Sequence, residues 1–364
     1  MIRDLGIHSA DVQEFIEASF NGPSIHSNPL SRTEDAKGIN DVALSTGGCI
    51  SLVAYWLFSA AVFDADQTIP QINIFPDHFL AMKKFLQEDP EEQIRESPGT
   101  IESLVVIGLG LLEHKCISTD SAELLGRSKP TEDDASDFMR YLHLTTLVAV
   151  FHPRLHVRNA ASTLAGNILH ADPSEEDRLR ILYDLLENCV FLSLKARAIT
   201  WLRDEMMAAD KAGYQGSSLF GSQQPLEEVQ YVVFPNLASL LKEMEEEELV
   251  EYLAQNAPFL IQAANFGLFL WSTVGRWTTV LPANAEATVR ERWWSPLTEA
   301  LGRAQPEAEG NAHGLPNEVD VLRERLATLA SAEGFSREGA ERQEWIRKDQ
   351  TLAEEENESV GKFW

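Results

Sequence analysis

Two histidines four residues apart, His152 and His156, are the first side chains in this sequence whose types and spacing suggest chemistry. Two imidazoles at that spacing can lie on one face of a helix and bind a zinc ion. Pro153 interrupts the pair at a helix start, the glutamate of an HExxH motif is missing, and no third ligand stands at a suitable spacing. We therefore expect turn and surface histidines and no metal site.

A short glycine motif raises the question of nucleotide binding. Gly108 and Gly110 match the start of a dinucleotide-binding fingerprint, but Glu113 stands at the third glycine position and no strand pattern precedes the motif. Close helix packing is the interpretation that these residues favour. The sequence also contains no Walker lysine motif, no GxSxG and no protein-kinase signature. It predicts a protein that is not an enzyme and has no cofactor.

The rival hypothesis is an enzyme or cofactor carrier whose site is assembled from distant residues such as His143, His170 and Cys189. The three cysteines, Cys49, Cys116 and Cys189, lie far apart and lack the paired spacing of metal sites or redox dithiols. We expect buried, reduced thiols. Such thiols, together with an N-terminus that lacks an uninterrupted apolar segment, favour a cytoplasmic location, with the nucleus as a second one.

Two stretches resemble copies of one helix-turn-helix unit and are called the first repeat (Arg140–His170) and the second repeat (Asp177–Met206). Val157 of the first aligns with Leu194 of the second, 37 residues later, within the roughly 20 to 45 residues of stacked helical repeats. Ser174 predicts a cap before the second repeat. Apolar steps of three or four residues predict inward faces, formed by Leu142, Thr146, Ala149, Val157, Ala161, Leu164 and Ile168 in the first repeat and by Leu179, Leu182, Leu186, Cys189, Leu194, Ala198, Trp201 and Leu202 in the second.

Five residues are candidates for contact with a protein partner. Arg158, Lys195 and Arg197 occupy similar positions on the second helices of the two repeats, where repeat proteins often form a shared binding surface. The alternative is pairing with local acids such as those at positions 184 and 187. Trp293 and Trp294 are adjacent and cannot both face the same core. One of them is a candidate interface anchor, and core packing is the alternative.

The charge of the chain excludes some partners. Its formal net charge is −27, with 57 acidic against 30 Lys and Arg residues, and such a protein repels nucleic-acid phosphates and anionic membranes. The uncharged stretches Val42–Phe63 and Tyr252–Gly275 are long enough to span a bilayer, but both contain several polar residues and neither has flanking basic clusters. We expect buried helices there. The acidic run Glu245–Glu248 predicts solvated surface, or recognition of a basic partner.

These patterns predict an all-α protein, a HEAT/armadillo-like α-solenoid of stacked antiparallel helix pairs. They leave the oligomeric state open. Phe75-Pro76 and Phe234-Pro235 are expected to dock equivalent helix starts. We expect five segments: a short helix and loop in 1–40, a first set of repeats in 41–212, a mobile Gly/Ser/Gln-rich loop in 213–228, a second set in 229–303, and in 304–364 a linker, an isolated helix over Val319–Ala330 and a poorly ordered acidic tail.

Three phrases carry a family resemblance: HSNPLSRTEDAKG from His26, FHPRLHVRNAASTLAGNILHADPSEEDRLRILYDLLENC from Phe151, and LKARAITWLRDEM from Leu194. They resemble the fungal YAP-binding protein family, which is grouped with a plant lateral-root protein and animal glomulin. The resemblance covers Ile25 to Arg303. It implies a HEAT-type solenoid that acts as a non-enzymatic binding protein. The chain is shorter than typical members, so we expect an N-terminal portion of the family fold to be missing.

The resemblance also implies classes of partner. Fungal members are linked to the oxidative-stress response of a bZIP transcription factor, which makes a regulator of such a factor the leading expectation. They are also linked to kinetochores, and glomulin engages the RING subunit of cullin ligases. A kinetochore-associated or cullin-RING-ligase-binding scaffold is therefore the alternative expectation.

Overall fold

The computed structural model describes residues 46–63, 72–87, 89–117, 137–211, 218–271, 277, 280–304, 317–332 and 335. Within these ranges the chain is largely helical and forms no β-strand. The predicted all-α class, built from packed helices, is therefore confirmed. The chain divides into two compact units, Met1–Pro173 and Ser174–Trp364. This division falls between the two repeats and not at the loop expected over 213–228.

The described part of the first unit contains six α-helices that surround one apolar core. The second helix of the first repeat (Leu155–Ala171) packs against the first helix of that repeat (Asp137–Phe151). It also packs against the apolar helix Pro98–Glu113. Two prolines stand at helix starts, where a missing N–H is harmless. The helices are α1 (Thr46–Phe63), α2 (Asp77–Phe85), α3 (Pro90–Glu96), α4 (Pro98–Glu113), α5 (Asp137–Phe151) and α6 (Leu155–Ala171).

The first repeat forms the predicted helix pair, α5 and α6, with its turn at residues 152–154. All four inward positions predicted on α6 are buried, as are Leu142 and Thr146 on α5, while Ala149 is half-buried. Gly108 of α4 lies directly against α6: a Cβ atom there would stand 2.8 Å from Leu164 Cδ2 and 3.0 Å from Tyr141 Oη. The predicted close packing at Gly108 is thus confirmed.

The described part of the second unit begins with the second repeat. Ser174 Oγ accepts a hydrogen bond from the Asp177 N–H over 3.1 Å, which confirms the predicted cap. The inward positions predicted on the second repeat are buried except for Cys189, which is half-buried. The elements are α7 (Glu175–Asn188), α8 (Leu192–Lys211), a 3-10 turn (Leu219–Gly221), α9 (Gln224–Val233), α10 (Ala238–Glu243), α11 (Glu246–Trp271), α12 (Ala285–Val289), a π-helical segment (Arg290–Trp294), α13 (Ser295–Arg303) and α14 (Asn317–Ser331).

The segment 218–228 is ordered, contrary to the mobile loop expected there. The carboxylate of Glu175 accepts hydrogen bonds from Ser218 Oγ and from the Leu219 N–H, the latter over 2.5 Å. Phe220 is fully buried, and α9 begins four residues later. Burial of Phe220 and the hydrogen bonds to Glu175 therefore hold the segment in place, although its polar composition predicted a mobile loop. The expected loop residues 213–217 lie outside the described residues.

A proline at position 258 predicts from the sequence that one helix ends before it and another begins with it, but α11 runs through Pro258 without a break. Pro258 removes one donor from the helix ladder, but its side chain is solvent-exposed. Leu253, Ala257 and Leu260 on either side of it are buried, so tertiary packing overrides the local preference. No described helix, α1 and α11 included, is long and apolar enough to cross a membrane.

The C-terminal helix expected to be isolated is packed. Helix α14 lies against α11 and buries Val319, Leu322, Leu326 and Leu329. The expected linker (305–316), the tail beyond residue 335 and the expected N-terminal helix and loop lie outside the described residues.

Candidate functional site

Arg158 and Lys195, the aligned cations of the two repeats, have the same kind of partner. Arg158 Nη1 donates to the His152 carbonyl oxygen over 3.0 Å, and Lys195 Nζ donates to the Glu187 carbonyl oxygen over 3.2 Å. Each carbonyl lies at the C-terminal end of the first helix of its repeat, where unpaired carbonyl oxygens favour a positive charge. The partners are backbone carbonyls and not the carboxylates that we considered as an alternative. Both cations therefore stabilise the turn of a repeat.

Arg197 is exposed on α8. Because successive helical residues are rotated by about 100°, Arg197 and Lys195, two residues apart, lie on different faces of that helix. Lys195 and Arg197 therefore do not belong to one shared binding surface of the kind that the sequence suggested. Arg158 belongs to the other unit.

The two adjacent tryptophans point to different surroundings, as the sequence predicted. Trp293 is completely buried and packs edge-on against Phe234, with ring centroids 5.2 Å apart. Trp294 is half-buried, and its Nε1 donates to the Leu326 carbonyl oxygen over 3.1 Å. Trp293 is therefore a core residue and cannot contact a partner from this position, which leaves Trp294 as the accessible member of the pair.

Pro296 leaves the Arg292 carbonyl oxygen free to accept a hydrogen bond from another segment. In an α-helix the Arg292 carbonyl would accept from the backbone N–H of residue 296, and proline has none. The Arg292 carbonyl accepts instead from the Leu237 N–H over 2.9 Å. This bond holds the segment that contains Phe234, which is buried before α10, just as Phe75 is buried before α2. The two helix starts nevertheless differ, since α2 begins directly after Pro76 and α10 begins three residues after Pro235, so their equivalence stays a prediction.

His152 is buried, contrary to the expected surface histidine. Its Nδ1 accepts from the Arg154 N–H over 3.1 Å, and its Nε2 donates to the Pro98 carbonyl oxygen over 3.2 Å. His152 therefore connects the turn of the first repeat to the start of α4. His156 is exposed and lies 3.7 Å from Glu102 Oε1. Within the described ranges, no group of His, Cys, Asp and Glu residues is arranged to hold a metal ion.

The residues of the rival hypothesis lie on different elements of the two units. His143 and His170 are exposed on α5 and α6, and His170 borders a shallow cavity of about 390 Å³ together with Leu109 and Asn167. Cys189 belongs to the second unit and is half-buried. Cys116 is also half-buried and free, so the expectation of full burial fails for both of these thiols. The side chain of Cys49 lies outside the described residues.

Two exposed aliphatic side chains at the turns of the repeats were not among the residues predicted from the sequence. Leu155 is 62% exposed at the turn of the first repeat, and Val190 is 80% exposed at the turn of the second. Each has charged neighbours: the Arg154–Glu102 ion pair (2.7 Å) lies beside Leu155 in the chain, and Lys195 reaches back to the turn that contains Val190. An apolar residue with a charged surround is typical of a protein-binding surface. The two residues are not equivalent in the alignment of the repeats, since Leu155 aligns with Leu192 and Val190 with Pro153, so the repeat pattern gave no signal for them.

Glu245–Glu248, the acidic run, is exposed at the start of α11. The predicted solvated position is confirmed, and the carboxylates lie at the positive end of the helix dipole. Whether they contact a basic partner stays a prediction.

These features define an all-α helical-repeat protein in which ionisable side chains stabilise turns and helix ends. The family model described as "Uncharacterised protein family, YAP/Alf4/glomulin" matches residues 12–344, and the chain belongs to this family. The resemblance seen in the sequence is thereby confirmed. No curated protein and no solved structure matches the chain.

Proposed function

We propose that this protein is a non-enzymatic adaptor that binds other proteins through the turns of its helical repeats. Membership of the YAP/Alf4/glomulin family over residues 12–344 is the observation that carries the proposal. Leu155 and Val190 support it, because each places an aliphatic side chain in solvent beside charged residues. Arg158 and Lys195 contribute by fixing the two turns. Arg197 and Trp294 remain candidate contacts on the second unit.

The partner that we propose is a bZIP transcription factor of the oxidative-stress response. The family description includes YAP, and the resemblance implies this class of partner for fungal members. A bZIP basic region is a strongly cationic helix, and a chain with a net charge of −27 attracts it over long distances. For this role we propose a cytoplasmic location, with the nucleus as a second one.

Direct binding tests the surface. Purified full-length protein is titrated with a fluorescently labelled bZIP domain at low and at physiological salt, and binding is expected to weaken as salt rises because the charges are screened. Leu155→Asp and Val190→Asp are each expected to weaken binding about tenfold or more, as loss of an interface anchor does. Leu240→Asp is the matched control, since Leu240 is 43% exposed on α10 and belongs to neither turn. Equal affinities for all three variants would refute binding through Leu155 and through Val190.

Affinity purification tests the class of partner. The tagged full chain is recovered from oxidant-treated and untreated cells, and a bZIP protein is expected among the specific partners. Recovery of a RING subunit or kinetochore protein in its place would transfer the adaptor role to the alternative class, and recovery of no specific partner would contradict the adaptor role. Stoichiometric metal or nucleotide bound to the purified protein would favour the enzyme hypothesis.

A further inference from the structure

Phe335 is completely buried in an aromatic socket of the second unit. The Arg290 guanidinium carbon lies 4.4 Å from the centre of the Phe335 ring. The ring centroids of Trp271 and Trp294 lie 5.2 and 6.0 Å from it. We call Arg290, Trp271 and Trp294 the Phe335 socket.

Arg290 contacts both the ring and the backbone of Phe335. Its guanidinium lies over the aromatic ring and also donates to the Phe335 backbone carbonyl oxygen. Glu286 holds the guanidinium in place by accepting from Nε over 3.0 Å and from Nη2 over 2.8 Å. A guanidinium that contacts both a ring and a backbone carbonyl oxygen is suited to binding a phenylalanine within a peptide segment, because it interacts with the side chain and with the backbone.

The walls of the socket are positioned by other elements. Trp271 ends α11, Trp294 is fixed by its hydrogen bond to the Leu326 carbonyl, and Arg290 is fixed by Glu286. Phe335 follows the end of α14 and is held by a turn in which its N–H donates to the Ala332 carbonyl oxygen. The socket therefore has its own supports, and its occupant arrives from a neighbouring segment.

One donor at the socket is left without a partner. The indole Nε1 of Trp271 is buried and makes no hydrogen bond, and the hydrocarbon ring of Phe335 cannot accept a conventional one. A buried unsatisfied donor destabilises the state that contains it. The occupied state seen here therefore lacks one hydrogen bond, and a partner segment that brings a backbone carbonyl oxygen to Trp271 Nε1 beside its phenylalanine would gain it.

We propose that the Phe335 socket is a recognition site for a phenylalanine in a basic peptide segment of a partner protein, and that Phe335 is an intramolecular competitor for it. The net charge of −27 favours basic residues around the incoming phenylalanine. The inference rests on the proposed adaptor function and adds the kind of segment that is bound. Phe335 then keeps the site closed until a partner displaces it.

The test uses a full-length Phe335→Ala variant and a labelled synthetic peptide with the sequence of residues 329–341 of this chain. The peptide is expected to bind the variant at least about tenfold more tightly than it binds the unaltered protein, where Phe335 competes. A peptide in which alanine replaces the phenylalanine should not bind. Val321→Ala, on the exposed face of α14, is the matched control and should behave as the unaltered protein does. Equal binding to all proteins would overturn the proposal.

A further arm tests the chemistry of the partner. A peptide with lysines on both sides of the phenylalanine is expected to bind Phe335→Ala more tightly than the native segment, with the advantage lost at high salt. The absence of any advantage would overturn the basic-segment part of the proposal. Adding Arg290→Gln to Phe335→Ala should abolish binding of both peptides.

If Phe335→Ala does not fold alone, a refolding experiment in the presence of each peptide replaces the binding measurement. Circular dichroism during refolding should then show recovery of helix when the native peptide is present and no recovery with the alanine peptide; failure of both peptides overturns the proposal. Because the probe comes from this chain, the result is independent of whether a bZIP factor binds. A failed bZIP titration and a failed socket test are therefore distinguishable.

Discussion

The Tyr141 hydroxyl donates a hydrogen bond to Nδ1 of His78 over 2.7 Å inside the core of the first unit. The other ring nitrogen of His78 lies 2.8 Å from the Leu104 carbonyl oxygen. Since a carbonyl can only accept, Nε2 carries the proton and Nδ1 is the acceptor. This neutral imidazole joins α2, α4 and α5. Its burial lowers the pKa of His78 to about 4, although the bond to the Leu104 carbonyl favours the protonated form.

Tyr141→Phe tests this hydrogen bond. The substitution leaves Nδ1 of a buried histidine without a donor, so we expect the free energy of unfolding to fall by about 1–3 kcal/mol. Tyr55→Phe is the matched control, because Tyr55 is about half exposed on α1, and it should change stability by less than about 0.5 kcal/mol. Denaturant unfolding at neutral pH measures both. Equal losses for the two variants would contradict the bond.

The pH dependence of stability tests the neutral state of His78. Its pKa is about 4 when folded against 6.5 for the ordinary side chain, so between these values the unfolded state binds a proton that the folded state does not. The contribution of neutral His78 to the free energy of unfolding is therefore complete above pH 6.5. It falls by about 3 kcal/mol as the pH is lowered to 4. His78→Gln should be less stable at neutral pH and should lose less on acidification. Parallel curves for the two proteins would contradict the prediction.

Gly108→Ala tests the close approach of α4 to its neighbours. The added methyl group would stand 2.8 Å from Leu164 Cδ2 and 3.2 Å from His78 Cε1, and overpacking of this kind costs about 1–3 kcal/mol. Gly99→Ala in the same helix meets nothing within 4 Å and is expected to stabilise by about 0.5–1 kcal/mol through helix propensity. Thermal unfolding of both variants should show opposite shifts. Two shifts in the same direction would contradict this packing.

The faces of the repeat helices could be predicted because burial repeats with the period of the helix. The predicted inward positions on α6 and α8, Leu164 and Trp201 among them, are buried. Pro258 and Phe220 could not be placed correctly, because each depends on partners distant in the sequence: the packed face of α11 in one case and Glu175 in the other.

The candidate site could be predicted only in part. The equivalence of Arg158 and Lys195 was visible in the alignment, but their partners are backbone carbonyls, which carry no side-chain signal. Leu155 and Val190 were missed because an aliphatic residue next to a helix resembles a core residue until the direction of the turn is known.

Arg158 and Lys195 are expected to contribute similarly to stability. Arg158→Met and Lys195→Met keep an aliphatic stem but remove the charge and the donor at a helix C-terminus, and each should lower the free energy of unfolding by about 0.3–1 kcal/mol. Arg158→Lys and Lys195→Arg should recover part of the loss, since a positive charge remains near the carbonyl. Denaturant titrations at low salt provide the measurement. A methionine variant as stable as the parent would mean that its cation does not support the turn.

Leu164→Asp tests the repeat alignment itself. Leu164 is completely buried on α6 and lies over Gly108, so the substitution places an unpaired carboxylate in the core and should destabilise the protein by several kcal/mol. Asn167→Asp adds the same charge to the exposed face of the same helix and should change stability by less than about 0.5 kcal/mol. Circular dichroism during thermal unfolding distinguishes the two outcomes. If Leu164→Asp melted as the control does, residue 164 would not face the core and the alignment of Val157 with Leu194 would be wrong.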